Sequence, residues 1–292
     1  MPPFVWFLAS GDAFFAGAGL VLCAAGISAV KKGLLRNVLV YLMSLAGVSL
    51  VAVSATPLPH TFYVSWAAIV LGWLVCATFV SEKQTAVVKW SAGVAAAFCA
   101  AAILVEVPCR RMPKIAGQFK ALCVIGDSVS AGMGNDAEQT WPRLLRGQGI
   151  EVIDRSRAGA TVGSALRRQV GGLPENAIVV LEIGGNDLLG VTATPYAEFE
   201  RDLRELLEVA SGGGRTIVML ELPLLPWHVK YGRIQRRLAG EFNVILVPKR
   251  FLAAIFAAEG ATSDGIHLTP KGQRLVADRM QTVLGESILA AR

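Results

Sequence analysis

Hydrophobic and polar positions follow two different rules along the 292 residues of this chain. Through residue 106 the apolar positions run together in four blocks, about 4–30, 38–55, 62–80 and 87–105. Short breaks separate them: KKG at 31–33, PLP at 57–59 and SEKQ at 81–84. Each block is close to the roughly 17–25 residues with which a helix crosses a bilayer core. A helix bundle buried in water keeps one polar face, and these blocks carry almost no charge on any face. Their Gly, Ala and Ser content suits close helix packing in lipid. The pattern predicts an all-α transmembrane region of four helices over residues 1–106, then a juxtamembrane linker over 107–118.

From residue 119 the rule changes. Short apolar runs at 121–125, 151–153, 177–183, 216–222 and 243–248 alternate with longer amphipathic stretches at 140–147, 162–169, 196–210, 233–241 and 270–284. Near-continuous Val/Ile/Leu runs fit strands buried on both faces, as in parallel sheets. The last stretch opens with Pro270 in a helix first turn and turns Leu275, Val276, Met280 and Val283 inward. Strand–helix alternation of this kind predicts an α/β domain over 119–292, a three-layer α/β/α fold with a parallel sheet. In such sheets the ligand crevice lies beyond the carboxyl ends of the strands.

Composition agrees with two regions. Apolar residues make up 53% and charged residues 17%, below the roughly 25% charged of an ordinary soluble domain. Residues 1–114 hold eight Lys/Arg and three Asp/Glu, leaving 20 against 19 for the rest. The second region therefore has no basic excess for nucleic acid. No Lys or Arg precedes residue 31, so the first block lacks the positive start of a signal peptide. That also counts against lipid attachment at Cys23. The cysteines Cys23, Cys76, Cys99, Cys109 and Cys123 show no metal or disulfide spacing and read as small buried apolar side chains.

The chemistry concentrates at three strand or helix ends. GDSVSAG at 126–132 leaves the first strand through residues that favour turns. Either it is only a turn, or it lifts Ser128 out as a nucleophile, which needs a histidine base. Of three histidines, His60 lies in a Pro-rich membrane loop and His228 has no carboxylate near in sequence. His267 follows Asp264 by three residues across a Gly turn, just before the last helix, so the acid can fold back and fix the imidazole. GGND at 184–187 leaves the third strand at the same sheet edge. The G-x-S-x-G elbow fits neither Ser128 nor Ser130.

GDS early in the domain, a glycine in the second block, GGND in the third and DGIH near the end resemble the SGNH (GDSL) hydrolases over residues 119–286. The chain looks most like the bacterial thioesterase I, lysophospholipase L1 and arylesterase branch. The resemblance implies Ser128 as nucleophile, His267 as base and Asp264 as orienting carboxylate. It also implies an oxyanion hole from the N–H groups of Ser128 and Gly159 and the amide of Asn186. Such donors meet the negative charge that acyl transfer places on the carbonyl oxygen. Asp127 and Asp187 are left as turn and cap residues. Leu268-Thr269 after DGIH and the membrane half depart from that branch.

The expected function is a membrane-anchored serine esterase acting on carboxylic esters or thioesters through an acyl-serine intermediate, with lipid-derived esters such as lysophospholipids favoured. It needs no metal or cofactor. Leu224, Leu225 and Trp227, in the loop after the fourth strand, are candidates for the acyl group. Deacetylation of a cell-envelope glycan is the alternative, and a membrane scaffold with an inactive hydrolase domain is the rival of another class. The expected partners are the small acyl-ester substrate and the bilayer, not nucleic acid. The expected location is a bacterial inner membrane. Lys31, Lys32 and Arg36 flank the first turn between spans, and Lys83 and Lys89 the third. The loop at 56–61 has no basic residue. Basic loops stay cytoplasmic, which puts the catalytic domain outside, although Arg110, Arg111 and Lys114 follow the fourth span.

Overall fold

A computed structural model describes residues 3–29, 33–79, 85–133, 138–189, 193–285 and 287. It divides into two compact units, one built on Phe7–Arg111 with Leu225–Val229, the other chiefly on Met112–Leu224 and the chain from Lys230 onward.

The first unit is helical. Helix α1 (Pro3–Ala9), which joins this unit only from Phe7, and helix α2 (Asp12–Ser28) meet at a 78° bend instead of forming the single block expected from residue 4. Gly11, at φ 82°, takes a backbone conformation that side chains resist, which ends the first helix. Helices α3 (Leu34–Val53), α4 (His60–Phe79) and α5 (Thr85–Glu106) follow. These three are long and apolar enough to cross a membrane, and the bent α1–α2 pair makes a fourth if it counts as one span. Helices α2 and α3 approach until a Cβ on Gly17 would lie 2.6 Å from the Gly47 carbonyl oxygen. Small residues allow that spacing.

Leu42, Leu45, Val64, Leu71, Trp90 and Leu104 point outward, and only 22–28% of each long helix is buried. An apolar exterior of this extent suits lipid. The Asp12 carboxylate pairs with Arg110 at 2.5 Å, and the Arg110 guanidinium stacks on Phe15. The start of α2 and the end of α5 are therefore on one side of the bundle. Cys23 is exposed on it, not buried as expected, while Cys99 and Cys123 are buried. Lys31, Lys32 and Lys83 lie outside the described residues.

The second unit is the α/β domain. Strand β1 (Leu122–Gly126) leads into helices α6 (Ser128–Ala131) and α7 (Trp141–Gly147). Then come β2 (Val152–Asp154), α8 (Val162–Arg168), β3 (Ile178–Glu182), α9 (Gly185–Leu189) and α10 (Tyr196–Ala210). The chain continues through β4 (Thr216–Leu220), α11 (Val229–Glu241), β5 (Ile245–Val247), α12 (Arg250–Phe256) and α13 (Pro270–Leu284). The sheet is parallel throughout, in the order β2-β1-β3-β4-β5. Every residue of β1 and β3 is buried, as helices on both faces require.

All five apolar runs form strands, and α10 and α13 keep the expected bounds. On α13, Val276, Met280 and Val283 are buried, while Leu275 is half-buried. Helix α11 begins four residues before the expected start at Arg233, because Gly232 reads as a breaker yet sits buried inside the helix.

Candidate active site

Strand β1 ends on Gly126 for a steric reason. A Cβ there would lie 2.6 Å from Ser130 Oγ and 3.1 Å from the Glu182 carbonyl oxygen. Without it, the chain folds back into α6, and Asp127 accepts a hydrogen bond from the Val129 N–H at 3.0 Å to cap that turn. The two serines of GDSVSAG then separate. Ser130 is fully buried; its hydroxyl donates to Glu182 Oε2 at 2.8 Å and accepts from Trp141 Nε1 at 3.2 Å. Ser128 retains 9% exposure.

The segment after β2 is carried along the end of β1. The N–H groups of Arg155 and Arg157 donate to the carbonyls of Val124 and Gly126 at 2.9 and 3.0 Å. The turn closes through Ala160 N–H to the Arg157 carbonyl at 3.1 Å, with Gly159 at φ 74°. That positive φ is why the position is glycine. The side-chain amide of Gln169, at the end of α8, grips both backbone groups of Gly126, accepting at 3.1 Å and donating at 3.2 Å.

The GGND segment closes the edge. Asn186 Nδ2 donates to the Ala160 carbonyl at 3.0 Å, and Asp187 Oδ2 accepts from Val162 N–H at 2.9 Å. The loops after β2 and β3 therefore hold each other. Neither Ser128 N–H nor Gly159 N–H has an acceptor among the described residues.

Asp264 and His267 meet as the spacing suggested. Asp264 Oδ1 accepts from the N–H groups of Ile266 and His267 at 3.0 and 2.9 Å, and its Oδ2 lies 2.6 Å from His267 Nδ1. The bond to the imidazole, then those to the two N–H groups, hold the Asp264 carboxyl well below the usual carboxylate range. A carboxylate on Nδ1 places the ring proton there and leaves Nε2 as the basic nitrogen. Ser263 N–H donates to the His267 carbonyl at 2.9 Å, which steadies the loop from behind. Asp127, next to Ser128 in sequence, is within electrostatic reach of His267.

Of the other candidates, Leu224 is buried in this unit, whereas Leu225 and Trp227 group with the helical unit. There Trp227 is exposed, edge-on to the ring of His228. His60 opens α4.

Asp127 caps its turn as expected, but its buried neighbour Glu182 was missed. Glu182 is an acid inside an otherwise apolar strand, and that was its one sequence signal. Burial, then the neighbouring Asp127 charge, push the Glu182 carboxyl up. Burial, with the charge of Asp187, pushes Asp127 up to about 6, against the pull of Val129 N–H, His267 and Glu182. Both acids hold protons more tightly than exposed carboxyls do.

The parallel sheet, the GDS turn leaving β1 and the Asp–His pair before the last helix define an α/β/α hydrolase. The chain belongs to the GDSL-like lipase/acylhydrolase family, whose sequence model matches residues 124–275. It is 30% identical over 173 residues to an arylesterase of Vibrio mimicus, covering 54% of this chain and 84% of that one. It is 31% identical to esterase TesA of Pseudomonas aeruginosa, over 51% of this chain and 79% of that one. Thioesterase 1/protease 1/lysophospholipase L1 of Escherichia coli is 29% identical over 54% of this chain and 80% of its own. The psychrotrophic esterase EstA of a Pseudoalteromonas species superposes with a TM-score of 0.50 at 24% identity, covering 56% of this chain and 96% of that one, and shares the fold. The chain is thus a hydrolase of the esterase, thioesterase and lysophospholipase type.

A carboxyl with a raised folded-state pKa binds its proton more tightly folded than unfolded. The stability this gives is complete below the unfolded value of about 3.9 and is lost as pH rises through the folded one. For Asp127 that fall runs from about pH 4 through about 6. Asp127→Asn should remove this share of it, so the variant gains stability relative to the wild type across that window. Urea unfolding of both proteins between about pH 4 and 7 checks the sign, and a constant difference would refute it.

Proposed function

We propose that the chain is a membrane-anchored serine esterase that cleaves carboxylic esters or thioesters through an acyl-serine, with lipid-derived acyl groups as substrates. One observation carries the reading: the His267–Asp264 pair belongs to the same unit as a turn offering Ser128 and two N–H groups without acceptors. Ser128 Oγ attacks the carbonyl carbon as His267 Nε2 takes its proton, and Asp264 stabilises the imidazolium. The oxygen, now negative, is met by Ser128 N–H, Gly159 N–H and the amide of Asn186. Collapse expels the alcohol or thiol, which receives the proton from His267. Water, deprotonated by the same nitrogen, then releases the acid and restores Ser128.

Proximity to lipid favours the lipid-derived substrate, as do the names thioesterase 1 and lysophospholipase L1 of the Escherichia coli relative. On sequence position we assign the acyl chain to Leu224, in the loop after β4. We place the protein in a bacterial inner membrane with the catalytic unit outside. The Asp12–Arg110 pair supports an even number of crossings between α2 and the chain after α5.

Ser128→Ala is expected to abolish hydrolysis and labelling by a fluorophosphonate probe while the protein stays folded. Ser130→Ala, which removes a bracing hydrogen bond but not the nucleophile, should lose far less of both. A probe adduct mapped to Ser130 reverses the assignment.

Asn186→Ala should lower kcat by about 10²–10³ with little change in KM, the loss found for one oxyanion donor. Steady-state kinetics on a soluble ester decides this. A kcat within about twofold of the wild type removes Asn186 from the hole.

Protease added to intact spheroplasts should degrade a C-terminal tag. A tag protected until the membrane is permeabilised puts the catalytic unit in the cytoplasm.

A further inference from the structure

Beside the Gly159 turn opens a cleft of about 530 Å³, within the size range of small-molecule sites. Arg157, Gly159, Ala160, Arg168 and Gln169 are among its walls, and among the described residues no carboxylate lines it. Its inner end reaches the catalytic turn, since the Gln169 amide grips Gly126, two residues before Ser128.

The arginines of this region do different work. Arg155 is occupied, donating to the carbonyls of Gly171 and Gly172. Arg157 and Arg168 are exposed, and their guanidinium groups bond to no described residue. One comes from the loop after β2 and the other from the last residue of α8. Unpaired arginines on open surface are ordinary, but these two border one concave site next to a proposed oxyanion donor. A guanidinium has a planar fork of donors that fits a phosphate in two-point contact and stays charged at any working pH.

We propose that this cleft is an anion subsite for a phosphate in the non-reacting part of the substrate. Arg157 and Arg168 hold the phosphate while the acyl carbonyl meets the oxyanion donors. The enzyme then selects phosphate-bearing acyl esters or thioesters over neutral esters of the same chain. This rests on the esterase reading above and adds the substrate's charge to it. Two sources share the chemistry: the phosphodiester of a lysophospholipid headgroup and the phosphates of a nucleotide-type acyl thioester.

The test uses the full chain in nanodiscs with three soluble six-carbon substrates: hexanoyl-coenzyme A, hexanoyl-lysophosphatidylglycerol and monohexanoylglycerol. The readout is kcat/KM for each phosphate-bearing substrate divided by that for the neutral ester. Arg168→Gln, and separately Arg157→Gln, should lower this ratio about tenfold, the scale of one lost charge-assisted contact. A fall confined to the lysophospholipid identifies the headgroup as the source, and one confined to the thioester identifies the nucleotide. A ratio equal to the wild type's in both variants overturns the subsite.

Binding is measured as well, so that the result does not depend on turnover. In the Ser128→Ala background, adding Arg168→Gln should weaken the Kd for one phosphate-bearing substrate about tenfold by calorimetry. An unchanged Kd for both overturns the subsite. Failure of the wild type to hydrolyse any of the three would sink the esterase reading instead, and the Kd comparison would still decide the subsite.

Discussion

A carboxyl group buried at the end of β3 is the interaction on which the catalytic edge depends. Glu182 is fully enclosed, and a buried carboxyl is tolerated only if hydrogen-bonded and kept largely neutral. Its bond to Ser130 fixes α6, and Ser130 in turn holds the indole of Trp141. The backbone N–H of Trp141 donates to Gln273 Oε1 at 2.8 Å, on the helix that follows His267. Helices α6, α7 and α13 are thereby tied to one acid on β3. The Ser130 side chain that this acid holds, together with the main-chain carbonyl of residue 182, leaves no room for a side chain at Gly126, where the chain turns out toward Ser128.

How much of this was legible follows from the range over which each signal acts. Strands and amphipathic helices are written in consecutive residues, so the five apolar runs and the periodic stretch at 196–210 placed their elements closely. The Asp264–His267 contact spans three residues, and its spacing announced it. The polar scaffold joins residues far apart in the chain: Gln169 to Gly126 across 43 positions, Trp141 to Gln273 across 132. No local pattern marks such partners. Helix α12 escaped because RFLAAIF is short and apolar on most sides, with no polar stripe to set a period. The bend before α2 escaped because a single Gly11 among apolar residues looks like any small residue of a lipid-facing helix.

The helical unit obeys a different constraint. Its interior is set by close backbone approach, as at Gly17 and Gly47, and its exterior is apolar over most of its length. Among the polar groups inside, Ser28 and Ser54 donate to carbonyls three residues back, whereas Ser44 Oγ and Trp73 Nε1 are buried with no partner among the described residues. The charged groups Asp12 and Arg110 are paired at one end of the bundle, where partial exposure keeps the desolvation cost low. That arrangement gives the unit a charged pair at one end and an apolar exterior along its length, a division that would suit a bilayer.

In the catalytic unit, the three proposed oxyanion donors are not independent. Asn186 spends one amide hydrogen on the Ala160 carbonyl and has a second to offer. The bond it spends holds the turn whose Gly159 N–H is another donor. The Gln169 clamp on Gly126 steadies the turn that supplies the third. Donors fixed before substrate arrives cost no reorganisation when charge develops on the carbonyl oxygen, which is where such sites gain most of their advantage over water. Here the fixing comes from loops that brace each other across the edge of the sheet. A residue that both donates and braces affects more than its own hydrogen bond, so losses at Asn186 and at Gly159 should not add as separate contributions.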